Sequence, residues 1–376
     1  MKKTMKRTLA IVLALALTFA LAACGPKDAG GDDEFASYSL GYNTWGAGTA
    51  TFDFMADVIE QAVAASGSEA TRASDEHMAD KELQNIQNFV SSGVDGIIMQ
   101  TAADPVLPEA AAECLEGKIP FVMSTFTGAD DVRAELNKTN EYYLGSVNAT
   151  MEAEGYLMGK AAAEDGHKTA LLLGGNVGDP HFEMRIEGFT KAFVEEGGGQ
   201  ILNEARCANP GEGQEKANAM LSATPDADCL FAMVGDYVPG AISAMETLSI
   251  TDMPIYVSNA NTDAIPYIRS GQVAAATTGN DLVGAVAVAL MVNYLDGHKI
   301  VDADGNVPEL KSVGFVIDLD NIDDYERIFK NEGEPFPAEV LQTLMYRYNP
   351  DVTYDYIVDF VENKLNLDAI VEMWAE

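Results

Sequence analysis

The chain has 376 residues, 23 Lys+Arg against 59 Asp+Glu, and a net charge of −36. A field of that sign repels nucleic acid and anionic lipid headgroups, so neither is an expected partner; it suits solubility outside the cell and names no ligand. The length is too great for one core of typical size and fits about two domains.

In chain order, "MKKTMKR" is basic, "TLAIVLALALTFALAA" is apolar, and "LAAC" is an export cleavage signal, so residues 1–23 read as a signal peptide. The apolar run is short and rich in small residues at its end, unlike an ordinary transmembrane helix. Leu21-Ala22-Ala23-Cys24 also has the form of a bacterial lipobox, which would make Cys24 the acylated first residue of the mature chain. Losing Lys2, Lys3, Lys6 and Arg7 with the leader takes the net charge to −40. Residues 24–36, small, polar and acidic, read as a flexible tether.

From residue 37, short β-rich runs alternate with amphipathic ones. "YSLGYN" is strand-like, and the next run sets Phe52, Ala56, Ile59 and Val63 on one helical face. "EATRAS", "DGIIMQ" and "IPFVMST" read as strands, with helices "DKELQNIQNFVSSG" and "DPVLPEAAAECLEG" between them. The alternation resumes from "KTALLLGG" through "HFEMRIEGFTKAFVEEGG", "GQILNEA", "DCLFAMV", "MPIYVSN" and "QVAAATT". Such a pattern predicts an α/β fold of two doubly wound parallel-sheet lobes, with ligand at the carboxyl ends of the strands. Residues 319–376 lack alternating strands and read as a helical C-terminal extension whose hydrophobes, among them Leu341, Leu344, Met345, Ile357, Phe360 and Val361, dock on a lobe.

Catalytic and metal signatures are weak. "GGNVGDP" lacks both the Gly-Lys-Ser/Thr of a P-loop and full G-x-G-x-x-G spacing. "DADGNVPE" alternates acids, but its glycine comes too early for an EF-hand, and an Asp-Gly turn joining two short strands is the plainer reading. His77, His167, His181 and His298 are scattered, so no metal or cofactor is expected. Cys207 follows a predicted strand and Cys229 begins one; on parallel strands their sulfurs would lie about 15–20 Å apart, out of disulfide reach, and Cys114 brings the count after Cys24 to three. The expectation is a binder and no enzyme.

"DKELQNIQNFVSSGVDGIIMQTAADPVL", "KIPFVMST", "NATMEAEGYLMGKAA", "RIEGFTKAF", "PGAISAMETL" and "IRSGQVAAATT", in this order and spacing, resemble the sugar-binding type I periplasmic binding proteins, receptors of ABC importers similar to ribose- and galactose-binding proteins. The resemblance implies two lobes joined by three crossings with ligand enclosed between them. Residues 37–165 plus 280–300 would form lobe 1, and 166–279 plus 301–318 lobe 2. It also implies ligand contacts. Asn43 and Trp45 fall in the first strand-to-helix loop, where an indole can stack on the C–H face of a sugar ring; a lobe-packing role for Trp45 is the alternative. Arg185 falls where an arginine fork would donate to hydroxyls, the alternative being a solvated charge paired with Glu183 or Glu187. Asp236, Asn259 and Asn148 take the family's acidic or amide positions, and Thr278 or Asn280 the hinge-strand amide. Asn148 and Asn280 also stand where helix N-caps would. Asparagines in place of aspartates remove charge-assisted bonds, which leaves the identity of the sugar open.

The implied function is capture of a small polyhydroxylated ligand, a monosaccharide, by a monomeric lipid-anchored receptor that serves an ABC permease. The alternatives are a sensory receptor for a sugar or furanose autoinducer, a receptor for nucleosides or amino acids, and a secreted sugar-active enzyme.

Overall fold

The computed structural model describes residues 35–48, 50–207, 209–260, 264–332 and 334–375. The leader, Cys24 and nearly all of the tether lie outside the described residues. Ser37–Glu376 form one compact unit built on two six-stranded sheets.

In the first sheet the order is β11-β5-β4-β3-β1-β2, with β1 Ser39–Thr44, β2 Glu69–Ser74, β3 Gly96–Met99, β4 Phe121–Thr125, β5 Tyr143–Ala149 and β11 Glu309–Ser312. All of its pairings are parallel. The apolar runs "GIIM" and "FVMST" are buried along their whole length, as strands with helices on both faces must be, whereas edge strand β2 keeps partial exposure. Helices α1 Ala50–Ala65, α2 Ala79–Ser92, α3 Leu107–Gly117 and α4 Asp130–Thr139 follow the strands in turn. Helix α10, Val283–Leu295, returns to this lobe; its buried stretch Val283–Asn293 packs on α1 and on β3 to β5.

Sheet two runs β12-β10-β9-β8-β6-β7, from β6 Thr169–Leu173, β7 Gln200–Ala205, β8 Cys229–Ala232, β9 Ile255–Val257, β10 Val273–Thr278 and β12 Phe315–Ile317. Its pairings are parallel except β10 with β12. Helices α5 Met151–Glu164, α6 Pro180–Phe189, α7 Gly213–Ala223, α8 Val238–Leu248 and α9 Ile265–Arg269 complete the lobe, a π-helical stretch Thr190–Glu196 prolonging α6. Cys114, Cys207 and Cys229 are buried free thiols.

Two expected lobe boundaries are corrected. Helix α5 lies within 37–165, yet its Met158 and Ala162 share a core with Leu172, Phe189 and Phe231 of the second lobe. The segment 301–318 is divided, because β11 pairs with β5 of the first sheet and β12 with β10 of the second. The turn at Asp302–Gly305 therefore joins α10 to β11, not two strands. Three chain crossings result, at 149–151, 278–283 and 312–315.

Helices α5 and α6 approach at glycines. A Cβ on Gly155 would run into the Arg185 carbonyl, and one on Gly188 into the Glu152 carbonyl. This contact brings the first turn of α5 against the middle of α6, with consequences for the cleft.

Beyond β12 come α11 Ile322–Glu326, α12 Ala338–Thr343, α13 Tyr354–Asn363 and α14 Leu367–Met373. Leu341, Leu344, Met345, Val352, Ile357 and Ile370 are fully buried. Helix α12 packs on α1, and α13 on β11 and α10, so most of the extension docks on the first lobe. Helix α11 instead meets α9 of the second lobe, through Glu326 and Asp323 on Arg269.

Candidate ligand-binding cleft

The carboxyl ends of β1, β3, β4 and β5 and the amino end of α6 surround a cavity of about 670 Å³ between the lobes. The first lobe supplies Trp45, Thr101–Pro105, Thr125–Asp130, Asn148 and Ala149; the crossing into α5 adds Thr150–Glu152, the second lobe Asp179–His181 and Met184, and β11 Lys311.

Local chemistry fixes Trp45. Its N–H donates to Gln100 Oε1 at 2.9 Å, and its carbonyl accepts from His77 N–H at 3.0 Å. Gly46 leaves room that the Phe52 ring occupies, and Gly48 takes the left-handed region at φ 78°. The indole meets His77 at 4.4 Å between ring centroids, Phe126 at 4.7 Å and Phe52 at 5.8 Å, all from its own lobe, and His181 of the other lobe at 5.3 Å. Trp45 therefore both packs its lobe and faces the cavity. Thr125, at the end of β4, holds φ 61°, a strained conformation for a β-branched residue of the kind that clusters at functional sites.

Four wall residues carry buried polar atoms without a protein partner: Trp45 Nε1, Thr127 Oγ1, Thr150 Oγ1 and His181 Nδ1. Buried polar groups are ordinarily satisfied, because leaving one unpaired costs roughly 1–3 kcal/mol. Burial, and next the Arg185 charge, lower the pKa of His181, so its ring is neutral and Nδ1 can accept as well as donate.

Behind the first-lobe wall, Glu82 Oε2 accepts from Ala102 N–H at 2.6 Å and Thr101 Oγ1 at 3.1 Å, which ties the β3–α3 loop to α2. Burial pushes the Glu82 carboxyl up to about 8 and that of Asp75 up to about 6.

Of the residues expected at the ligand, Trp45 and Asn148 line the cavity and the others do not. Asn43 is buried and engaged within its lobe: Nδ2 donates to Asp75 Oδ2 and to the Gln100 carbonyl, each at 2.9 Å, and Oδ1 accepts from Asn85 Nδ2. Asp236 lies in the 3-10 turn before α8, and Asn259, at φ 48°, donates its N–H to Thr277 Oγ1. Thr278 is buried at the end of β10. Neither asparagine caps a helix: Thr150 holds the N-cap position of α5, and the side chain of Asn280 turns to a carboxylate.

That carboxylate is Glu154, which sequence reasoning missed. It is 1% exposed, and its Oε2 accepts from Arg185 Nε and from Ser258 Oγ, each at 2.7 Å, while Oε1 accepts from Asn280 Nδ2 at 2.6 Å. Arg185 also donates Nε to Ser258 Oγ at 2.9 Å and Nη1 to the His181 carbonyl at 3.2 Å. Its partner is thus Glu154 of α5, not Glu183 or Glu187 of its own helix. Asp281 lies nearby, its pKa pushed up to about 7 by burial and then by the Glu154 charge, with Arg185 opposing.

The model of the periplasmic binding protein domain matches residues 41–299. The chain belongs to that family. Among relatives of this periplasmic binding protein, the ribose import binding protein RbsB of Salmonella typhimurium is 24% identical over 222 residues, 58% of this chain and 72% of the relative. A Mycobacterium smegmatis protein solved with β-D-fucofuranose superposes with a TM-score of 0.67 at 19% identity, covering 81% of this chain and 97% of the other. A solute-binding protein of Actinobacillus succinogenes with bound D-allose gives 0.68 at 18% identity, over 77% and 100%. At such identities these structures speak for the fold alone. Among the described residues of this family member, no helix is long and apolar enough to cross a membrane.

Proposed function

We propose that the protein is an extracytoplasmic receptor that encloses a small polyhydroxylated ligand, a monosaccharide, in the interlobe cavity and delivers it unchanged to an ABC permease, with Cys24 as lipid anchor. The observation that carries this reading is the set of four unpartnered polar atoms on the cavity wall, Trp45 Nε1, Thr127 Oγ1, Thr150 Oγ1 and His181 Nδ1. One fixed donor, two hydroxyls and a neutral imidazole suit a ligand whose groups both donate and accept, as sugar hydroxyls do. Aromatic Trp45 and Phe126 beside them supply apolar surface for a ring's C–H face. A ligand that touches both lobes favours the closed state by its differential affinity, and closure creates the surface a permease can recognise. The names of the relatives point the same way, to ribose, fucofuranose and allose.

Thermal-shift screening of the purified protein against monosaccharides, nucleosides and amino acids, with tryptophan fluorescence as second readout, tests the proposal. A monosaccharide is expected to raise the melting temperature and to be recovered unchanged. Stabilisation by an amino acid alone overturns the ligand class, and recovery of an altered sugar overturns the receptor role.

A further inference from the structure

We infer that Glu154 sets the charge selectivity of the cavity: by holding Arg185 in a buried ion pair, it makes the site accept neutral sugars and reject their anionic counterparts. This rests on the reading of the cavity as the ligand site. Arg185 stands four residues after His181, on the same side of α6 and one turn behind it, where a free guanidinium could reach a carboxylate or phosphate in the cavity. It is not free. Its Nε is shared between Glu154 and Ser258, its Nη1 is given to the His181 carbonyl, and the arginine is 4% exposed beside a carboxylate that is 1% exposed. Both Glu154 oxygens are occupied, and Arg185 is held through Nε and Nη1. Withdrawing one partner from such a pair leaves the other charge buried and uncompensated, which opposes any swing of Arg185 toward a ligand.

What remains on the wall is acidic. Among the described residues, Lys311 is the only lysine or arginine lining the cavity, and its Nζ lies 3.3 Å from Asp130 Oδ2. Asp104, Asp130, Glu152 and Asp179 also line it. An anionic ligand would give up solvation, find no bidentate cation and sit among like charges. The hydroxyl-matching atoms Thr127 Oγ1, Thr150 Oγ1, Trp45 Nε1 and His181 Nδ1 carry no charge, and a neutral ligand needs none.

Isothermal titration of the purified protein with matched probes tests this inference: D-glucose against D-glucuronate, D-galactose against D-galacturonate, D-ribose against D-ribose 5-phosphate, and adenosine against its 5′-monophosphate. In whichever set binds, the neutral member is expected to be tighter by roughly a hundredfold or more. In Glu154→Gln, which keeps the shape but releases the guanidinium charge, that ratio is expected to fall by about tenfold or more. An anionic member that binds as tightly as its neutral partner overturns the inference on the wild-type protein alone, whether or not the variant folds. A well-folded Glu154→Gln with an unchanged ratio overturns the assignment to Glu154. Binding confined to adenosine, with the monophosphate rejected, would sink the sugar reading yet uphold charge selectivity; binding of glucuronate over glucose would do the reverse.

Discussion

The cleft and the bed of the C-terminal extension are both polar surfaces buried between elements distant in sequence, yet they treat their polar groups oppositely. Where the extension docks, Asn293 donates to the Leu344 carbonyl and accepts from Tyr346 N–H, Gln342 reaches the Ala65 carbonyl, and His298 meets the Val352 carbonyl. Arg347 binds both oxygens of Asp296 and the Ser66 carbonyl. Of the described side chains there, Gln61 Oε1 is left over. Around the cavity, four atoms on the wall have no partner, nor do Glu82 Oε1 and, beside Glu154, Asn280 Oδ1 behind it. One surface is finished by the chain itself, and the other, on the proposed function, by the ligand that enters it. The contrast is one of degree with a physical meaning: a packing interface leaves few buried polar atoms unpaired, and the cavity leaves a cluster of them.

Breaking the finished surface should cost most. Arg347 is 2% exposed on its side chain, and Arg347→Ala strands Asp296 with Tyr38 Oη as its remaining partner. A loss of about 3–5 kcal/mol is expected in urea unfolding, with ligand affinity nearly unchanged in the fraction that stays folded; a loss below about 1 kcal/mol would show that the extension is not tightly docked.

The cleft side should instead reveal itself in the pH dependence of stability. Glu82, Asp281 and Asp75 have folded-state pKa values pushed by burial up to about 8, 7 and 6 from ordinary values of 4.5, 3.8 and 3.8. Between the unfolded and folded values the folded protein binds more protons, so their contribution is fully present below about pH 4 and is lost as pH rises toward 8. Glu82→Gln, which keeps an acceptor for Ala102 N–H, should flatten that fall by an amount on the order of a few kcal/mol. An unchanged slope in melting temperature against pH would remove Glu82 from the account.

At the wall, Trp45→Ala is expected to weaken binding of the identified sugar by roughly 10- to 100-fold, about 1.4–2.8 kcal/mol, as read by titration calorimetry. Unchanged affinity would return Trp45 to a purely packing role. Thr127→Val should have the smallest effect and separate the two surfaces most cleanly. Thr127 is 2% exposed with an unpartnered hydroxyl. Its loss should leave the ligand-free protein as stable, or more stable by up to about 1 kcal/mol, while lowering ligand affinity. Destabilisation without ligand would mean that the hydroxyl already has a partner.

Much of the architecture was legible because period and composition are local. The apolar runs of β3, β4 and β8 announced buried parallel strands, and Trp45 between Gly46 and Gly48 announced an aromatic in a strand-to-helix turn. The place of β11 was not legible. Only Val313 and Gly314 separate "ELKS" from "FVI", yet Gly314, at φ 65°, turns the chain so that one pairs with each sheet. The lining of the cavity was read only in part for the same reason. Asn43, Arg185 and Asn280 are types that can bind hydroxyls, but Asn43 Nδ2 is taken by Asp75 and the Gln100 carbonyl, Arg185 Nε by Glu154 with Ser258, and Asn280 Nδ2 by Glu154. Thr127, Thr150 and His181 carried no local signal, since a threonine or histidine in a loop is ordinary until its neighbours are known.

The sequence alone determined the alternation that builds two sheets, the helical character of the extension and the position of Trp45 at the end of the first strand, because these follow from side-chain pattern over a few residues. Tertiary structure decided which carboxylate takes up Arg185. Glu154 stands 31 residues from Arg185, 104 from Ser258 and 126 from Asn280; the glycine-lined crossing of α5 on α6 sets it against Arg185, and the ends of β9 and β10 bring Ser258 and Asn280 to it. Hydrogen bonds are satisfied across space, not along the chain, so the atoms left for a ligand are defined only once every other partner has been placed.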